Sequence, residues 1–149
     1  MKFEVDKSKE YDFKRSSMAE NRKFLYNIVR AIKPKKVVEL GTYFGCSYFS
    51  FAQAIKDLEL DTELTGIDTW EGDIHTNFYG HNVLKTFLKL KEEVFNNDHR
   101  FKYIDKTFRE AVSEFKDESI DILLIDGLHT SEAAKEDFET YLPMLSKDA

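Results

Sequence analysis

The stretch Val38–Ser47, with the sequence VELGTYFGCS, decides the fold prediction because it joins a short apolar run to a segment of helical periodicity. Residues 37–40 predict a buried strand, and residues 47–58 predict a helix. Gly41 and Gly45 allow the backbone to turn sharply between the two and let a ligand approach without a Cβ in the way. The stretch therefore predicts a strand-to-helix turn that can hold a ligand.

Strand-like and helix-like patterns alternate along the rest of the chain. Helical stripes are expected over residues 18–32, 47–58, 83–94, 108–115 and 133–145, and short strands over 37–40, 64–68, 101–104 and 120–125. This alternation implies right-handed crossovers and a parallel sheet covered by helices on both faces. We therefore predict an α/β fold, a Rossmann-like three-layer α/β/α arrangement with a mostly parallel sheet, in a single domain over residues 1–149.

Length, charge and cysteine content restrict the class of protein. The 149 residues suit one domain, and 22 basic against 28 acidic side chains give a net charge of -6, which argues against a broad nucleic-acid or anionic-membrane surface. A single cysteine, Cys46, rules out an intramolecular disulfide and is compatible with a reducing compartment. The longest apolar run, residues 122–125, is too short to span a bilayer. We expect a cytoplasmic protein with neither a nucleic-acid nor a membrane partner.

Two acidic residues distinguish between classes of ligand. A carboxylate at Glu39, two positions before Gly41, would repel the pyrophosphate of a dinucleotide but would suit the ammonium and sulfonium of S-adenosylmethionine. Alternatively, nearby backbone amides satisfy this carboxylate. Asp68, at the end of the second strand, could accept hydrogen bonds from both ribose hydroxyls or could serve as a turn residue. Together with the absence of GxGxxG spacing, this pattern disfavours an NAD-dependent dehydrogenase.

Residues 39–47 resemble the donor-binding motif of class I S-adenosylmethionine-dependent methyltransferases. The general family pattern has a glycine where this chain has Tyr43, and this departure fits the variant found in catechol-type O-methyltransferases. Two further stretches, DTWEGDIH at residues 68–75 and IDGLHT at residues 125–130, resemble a bacterial branch that is often found beside or fused to glycosyltransferases. The resemblance implies O-methyl transfer to a small-molecule or glycan hydroxyl, with S-adenosylmethionine as the donor.

The resemblance also implies which residues bind the donor. Thr107 and Phe108 follow the third strand, where this fold usually contacts adenine. The full set of expected donor-binding residues is Glu39, Gly41, Thr42, Tyr43, Gly45, Ser47, Asp68, Thr69, Thr107, Phe108 and Asp126.

Methyl transfer to a hydroxyl requires removal of its proton, by a base within reach or by a metal that lowers its pKa. Asp126 and His129 leave the fourth strand at the end that faces the donor pocket, and His129 is the predicted base because histidine titrates near neutrality. Alternatively, His129 caps the following helix or supports a neighbouring site residue without contacting the ligand itself. Asp126 aligns with a metal-ligand aspartate of catechol-type enzymes, or else orients its loop. A divalent metal such as Mg²⁺ is possible, but the other ligands in those enzymes come from beyond the next strand.

The loop after the second strand carries further candidates. Asp73 and His75 could supply metal ligands or lie in a lid over the acceptor, although such a pair is more often an ordinary loop feature. Trp70, Phe78 and Tyr79 could form an aromatic wall for a sugar or for adenine. The alternative is that these aromatic residues anchor the loop to the core.

The family fold continues beyond a fourth strand, whereas only four strands are recognisable here. Residues 143–149 are typical of a helix end and a turn, where a fifth strand would normally begin. An apolar strand such as residues 120–125 would invite pairing if it were left at an edge. We therefore expect a fold truncated after the fourth strand and its helix, covered by a longer chain, a partner or a second copy in a homodimer. A non-catalytic donor-binding or scaffold domain of a glycan-synthesis protein is the second functional hypothesis.

Overall fold

The computed structural model describes residues 1–73, 77–78 and 82–149. The strands in this part of the chain are β1 (Lys36–Leu40), β2 (Glu63–Asp68), β3 (Gly72–Asp73), β4 (Asn77–Phe78), β5 (Phe101–Asp105) and β6 (Ile122–Ile125). Four of them form a parallel sheet in the order β5-β2-β1-β6, and β3 and β4 form a separate antiparallel pair.

The α-helices of the described residues are α1 (Arg22–Ile32), α2 (Cys46–Asp57), α3 (Asn82–Phe95), α4 (Phe108–Ala111) and α5 (Ser131–Tyr141). Short 3-10 turns cover Glu4–Lys7, Phe13–Arg15, Ala19–Asn21, Val112–Glu114 and Leu142–Met144. Helices α1, α2 and α3 contribute to one hydrophobic cluster, and α4 and α5 contribute to another. The predicted Rossmann-like three-layer fold with a parallel sheet is confirmed.

Successive residues of β1 face opposite layers, as the two-residue period of a strand requires. Val37 packs with Leu64 and Phe101 in the cluster that contains α1, α2 and α3. Val38 and Leu40 pack in the second cluster, which includes the fully buried Tyr141 of α5. Because both neighbours of β1 are strands and both faces are covered by helices, β1 is the centre of the core.

The carboxyl ends of three strands lie in register at one edge of the sheet. Leu40 of β1 pairs with Ile67 of β2 on one side and with Ile125 of β6 on the other. The backbone N–H of Gly41 donates to the Ile67 carbonyl at 2.9 Å, and that of Asp126 donates to the Leu40 carbonyl at 2.8 Å. The loops that follow these strands are therefore brought together at this edge.

Several observed helix boundaries differ from the predicted ones. The last helix begins at Ser131, because the Thr130 hydroxyl accepts a hydrogen bond from the Ala133 backbone N–H and caps the helix. It ends at Tyr141 and continues as a 3-10 turn, because Pro143 lacks the N–H that a helix interior needs. The predicted helices over 18–32 and 108–115 are likewise divided between an α-helix and a 3-10 turn.

The strand predicted over residues 120–125 is shorter, and its first residue has a different partner. Ile120 forms an isolated parallel bridge with Leu145, in which the Ser146 N–H donates to the Ile120 carbonyl at 2.8 Å. Over the described ranges, β6 itself pairs only with β1, and its four apolar side chains are half-buried. None of the described helices is long and apolar enough to cross a membrane.

Candidate active site

A cavity of about 490 Å³ opens at the edge of the sheet where β1, β2 and β6 end. This volume lies within the range of roughly 300–1,000 Å³ that is usual for small-molecule sites. Its position also agrees with the rule that open α/β sheets bind ligands beyond the carboxyl ends of their strands. The predicted site residues that line it are Gly41, Thr42, Tyr43, Ser47, Asp68, Thr69, Thr107, Phe108, Asp126 and His129.

Two predicted donor-binding residues, Glu39 and Gly45, lie outside the lining of the cavity. Gly45 has a φ of 86°, precedes α2, and donates its N–H to the Thr42 carbonyl at 2.7 Å. A Cβ on Gly45 would lie 2.7 Å from the Phe49 ring. The structure therefore places Gly45 where it turns the chain into α2.

Gly41 makes the close approach of two loops possible. Its φ is 91°, and a Cβ at this position would lie only 2.1 Å from the carbonyl oxygen of Asp126. The missing side chain thus makes room for the backbone that follows β6, which brings Asp126 to the wall of the cavity. The group that Gly41 has to accommodate is therefore the backbone of Asp126 and not a ligand.

The Asp68 carboxylate is held by backbone N–H groups of two loops. Oδ2 accepts from Thr42 at 3.0 Å and from Tyr43 at 2.8 Å, and Oδ1 accepts from Trp70 at 2.8 Å. Asp68 is only 8% exposed, and burial raises its pKa, although these backbone hydrogen bonds counter part of the effect. Asp68 therefore serves as a turn residue and also lines the cavity. A ribose hydroxyl that bound there would have to share the Asp68 carboxylate with these backbone N–H groups.

Trp70 is buried behind the turn that follows β1 and does not line the cavity. Its indole N–H donates to the Tyr43 carbonyl at 2.9 Å, and its ring packs against Phe87 and Tyr103. Of the two interpretations of Trp70, the structure supports anchoring of the loop. The other candidates in this loop, the Asp73 and Phe78 side chains and residues His75 and Tyr79, lie outside what the structure describes.

Glu39 is fully buried beneath the cavity wall. The Ser47 hydroxyl, which lines the cavity, donates to Oε1, whereas Oε2 makes no hydrogen bond with any described residue. Burial raises the pKa of Glu39 to about 8, and hydrogen bonding from Ser47 offsets only part of this effect. The expected alternative, in which backbone amides satisfy this carboxylate, is not what the structure shows.

Asp126 and His129 lie on the β6 side of the cavity. The Asp126 side chain is 25% exposed, and burial raises its pKa while His129 partly counters the shift. His129 is 72% exposed, with Nε2 3.9 Å from Asp126 Oδ1, so it lies at the rim with room for a further partner. The cap of α5 is the Thr130 hydroxyl, which removes the capping interpretation of His129.

The charge of the cavity wall is acidic. Asp68 and Asp126 contribute carboxylates and His129 an imidazole, whereas none of the described lining residues is Lys or Arg. Within the described ranges, no group of three or more His, Cys, Asp or Glu side chains is arranged to hold a metal ion. The wall is thus suited to a cationic organic ligand.

An N-terminal wall of the cavity escaped the sequence-based prediction. It comprises Tyr11, Ser16, Ser17 and Met18, and the Tyr11 ring stacks on Phe44 with a centroid distance of 4.1 Å. Met18 was expected on the apolar face of the first helix, but that helix begins only at Arg22. The segment before it carries no periodic pattern, so nothing in the sequence indicated its contact with the cavity. Phe44, Cys46, Gly72, Gly127 and Leu128 complete the lining.

A family model described as a methyltransferase domain matches residues 38–149 of this chain. The chain belongs to this methyltransferase family. The match covers the strand-end loops that line the cavity but not the N-terminal wall, and it confirms the resemblance to class I methyltransferases. The association with glycosyltransferases stays a prediction.

A curated relative, an uncharacterized protein y4gI of Sinorhizobium fredii, is 40% identical over 120 residues. The alignment covers 80% of this chain but only 13% of the relative. Solved structures with a similar fold include the methyltransferase PaMTH1 of Podospora anserina bound to S-adenosylhomocysteine, with a TM-score of 0.68, 17% identity, and coverage of 91% of this chain and 55% of that one.

A second solved structure is the O-methyltransferase TomG of Streptomyces achromogenes in complex with S-adenosylmethionine. It has a TM-score of 0.68, 16% identity, and coverage of 97% of this chain and 62% of TomG. At these identities the likeness concerns the fold. The chain spans about three-fifths or less of the length of these two proteins.

Replacing the buried carboxyl with an amide, Glu39→Gln, should change how stability depends on pH. The folded protein retains a proton on Glu39 up to about pH 8, whereas the unfolded chain releases it near the ordinary pKa of 4.5. The free energy of unfolding of the native protein should therefore fall as pH rises from about 4.5 to 8, with a slope of up to about 1.4 kcal/mol per pH unit from this group. The Gln variant should lack this slope and gain stability relative to the native protein.

Urea unfolding at several pH values between 5 and 8.5 measures this difference. Glu132→Gln, which changes an exposed carboxylate in the same way, is the matched control and should keep the native slope. Parallel stability curves for the Glu39→Gln variant and the native protein would contradict the assignment of a protonated Glu39.

Proposed function

We propose that the chain binds S-adenosylmethionine in this cavity and directs transfer of its methyl group to a hydroxyl of a small-molecule or glycan acceptor. The observation that carries the proposal is the acidic wall, in which Asp68 and Asp126 are not balanced by any Lys or Arg among the described lining residues. A sulfonium and an ammonium are attracted to such a wall. The pyrophosphate of a dinucleotide would be repelled, because anion sites normally supply positive charge or free backbone N–H groups.

Different residues of the cavity suit different chemical groups of S-adenosylmethionine. Asp126 offers a partly exposed carboxylate for the ammonium, and the buried Glu39 adds an unpartnered carboxyl oxygen behind Ser47. Phe108 also lines the cavity and offers a ring for adenine; this ring packs against Gly127, where a Cβ would lie only 2.6 Å from it. The similar folds that were solved with S-adenosylhomocysteine or S-adenosylmethionine support the same ligand.

When bound, the donor supplies a methyl group that leaves its sulfur by in-line displacement. The chain's own part is to position donor and acceptor, which is the main source of rate in such a reaction. We assign His129 as the base, because its imidazole lies at the rim of the cavity beside Asp126 and is mostly exposed to an incoming hydroxyl. The proton of the acceptor hydroxyl passes to His129 as the new oxygen–carbon bond forms.

The acceptor and the cellular location belong to the proposal. A glycan or other small polar acceptor is supported by the resemblance of residues 68–75 and 125–130 to methyltransferases found beside glycosyltransferases. The free thiol of Cys46 agrees with a reducing compartment and supports a cytoplasmic location.

The donor site is tested by calorimetric titration with S-adenosylhomocysteine and, separately, with NAD. We expect binding of S-adenosylhomocysteine in the micromolar range and none of NAD. Asp126→Asn should weaken binding about tenfold or more, because a hydrogen bond to a charged group contributes about 1.5–3 kcal/mol. Asp105→Asn is the matched control, since Asp105 is exposed at the end of β5 and outside the cavity lining. Tighter binding of NAD than of S-adenosylhomocysteine would overturn the proposal.

The role of His129 is tested by His129→Ala in a protein that contains this domain and transfers methyl groups. We expect turnover to fall by about two orders of magnitude or more, as is usual on loss of a general base, while donor affinity stays within about twofold. Donor binding without any methyl transfer by the native protein would instead support the non-catalytic scaffold hypothesis.

We also propose that a second copy of the chain covers the open edge of β6. The four apolar residues of β6 are half-buried, and two large apolar residues of the following segment, Phe138 of α5 and Leu142 directly after α5, are 45% and 50% exposed. Sedimentation equilibrium should show a dimer that Leu142→Lys converts to a monomer. A native monomer at high protein concentration would contradict this proposal.

A further inference from the structure

The loops that follow β1 and β2 are tied together by hydrogen bonds that converge on one turn. The Asp68 carboxylate accepts from the backbone N–H groups of Thr42, Tyr43 and Trp70, at 2.8–3.0 Å. In the opposite direction, the Trp70 indole N–H donates to the Tyr43 carbonyl at 2.9 Å. The N–H of Tyr43 is therefore held by the last residue of β2, and its carbonyl is held by the loop that follows β2.

Tyr43 needs such support because of its backbone conformation. Its φ is 51°, in the left-handed region that residues with a side chain rarely adopt. Conformations of this kind persist when surrounding contacts hold them in place. Tyr43 lines the cavity, so the same backbone conformation contributes to the shape of the cavity wall.

Trp70 is itself firmly placed. It is 3% exposed, and its ring packs against Phe87 of α3 and Tyr103 of β5, with centroid distances of 5.5 and 5.9 Å. It does not line the cavity. Its influence on a bound ligand must therefore pass through Tyr43.

We propose that Trp70 is a positioning residue of the donor site, whose indole N–H holds the Tyr43 carbonyl and with it the turn over residues 41–45 in the conformation that binds the donor. This inference rests on the donor binding proposed above. Loss of the indole N–H then weakens donor binding although no group that touches the donor is removed.

The variant that tests this is Trp70→Phe, which retains an aromatic ring in the core but loses the hydrogen-bond donor. We expect affinity for S-adenosylhomocysteine to fall about tenfold in calorimetry, which corresponds to the upper part of the range for one hydrogen bond. Phe95→Leu is the matched control. Phe95 is equally buried in the same hydrophobic cluster, so this variant lowers general stability without touching the turn, and its affinity should match that of the native protein.

A spectroscopic signature is available because Trp70 is the only tryptophan of the chain. Its indole contacts the donor turn directly, so its emission should shift or change in intensity as S-adenosylhomocysteine binds. The change should saturate with the dissociation constant that calorimetry gives. This measurement uses the native protein and remains decisive even if Trp70→Phe does not fold, as judged by circular dichroism.

The outcomes separate this inference from the function on which it rests. Failure of the native protein to bind S-adenosylhomocysteine would overturn the donor site itself. Binding by the native protein, with equal affinity in Trp70→Phe or an equal loss in Phe95→Leu, would overturn only the role of Trp70. Unchanged tryptophan emission at saturating ligand would overturn it as well.

Discussion

The arrangement of the site depends on the in-register pairing of β1 with strands on both sides. Leu40 pairs with Ile67 and with Ile125, so three loops leave the sheet at the same level. The approach of the first and last of these loops is possible only because Gly41 has no Cβ to collide with the Asp126 carbonyl. One central strand and one glycine thus bring together acidic side chains that are far apart in the sequence.

The chemistry of the cavity follows from this convergence. Asp126 comes close enough to face the cavity, and Asp68 both lines it and fastens the turn that follows β1. Burial makes ionisation of Glu39 costly, so its carboxyl group retains a proton near neutral pH. A cationic ligand would favour the ionised form of the Glu39 carboxyl group. Binding of the donor is therefore coupled to the protonation state of Glu39.

The fold and most of the cavity could be predicted from local patterns, because apolar strands that end at Asp68 or directly before Gly41 and Asp126 identify the loops at one sheet edge. The roles of Glu39 and Gly45 could not be separated in this way, since only packing shows that Glu39 lies behind Ser47 and that Gly45 meets Phe49. The N-terminal wall around Ser16 was missed because its contacts are with residues distant in sequence and it has no periodicity.

The central claim is that this cavity is the donor site of a methyltransferase, and a crystal structure of the chain grown with S-adenosylhomocysteine tests it most directly. The account predicts ligand density at the carboxyl ends of β1, β2 and β6, with the amino group toward Asp126 and the adenine toward Phe108. Ligand density elsewhere on the surface, with the cavity free of ligand at saturating concentration, would contradict it.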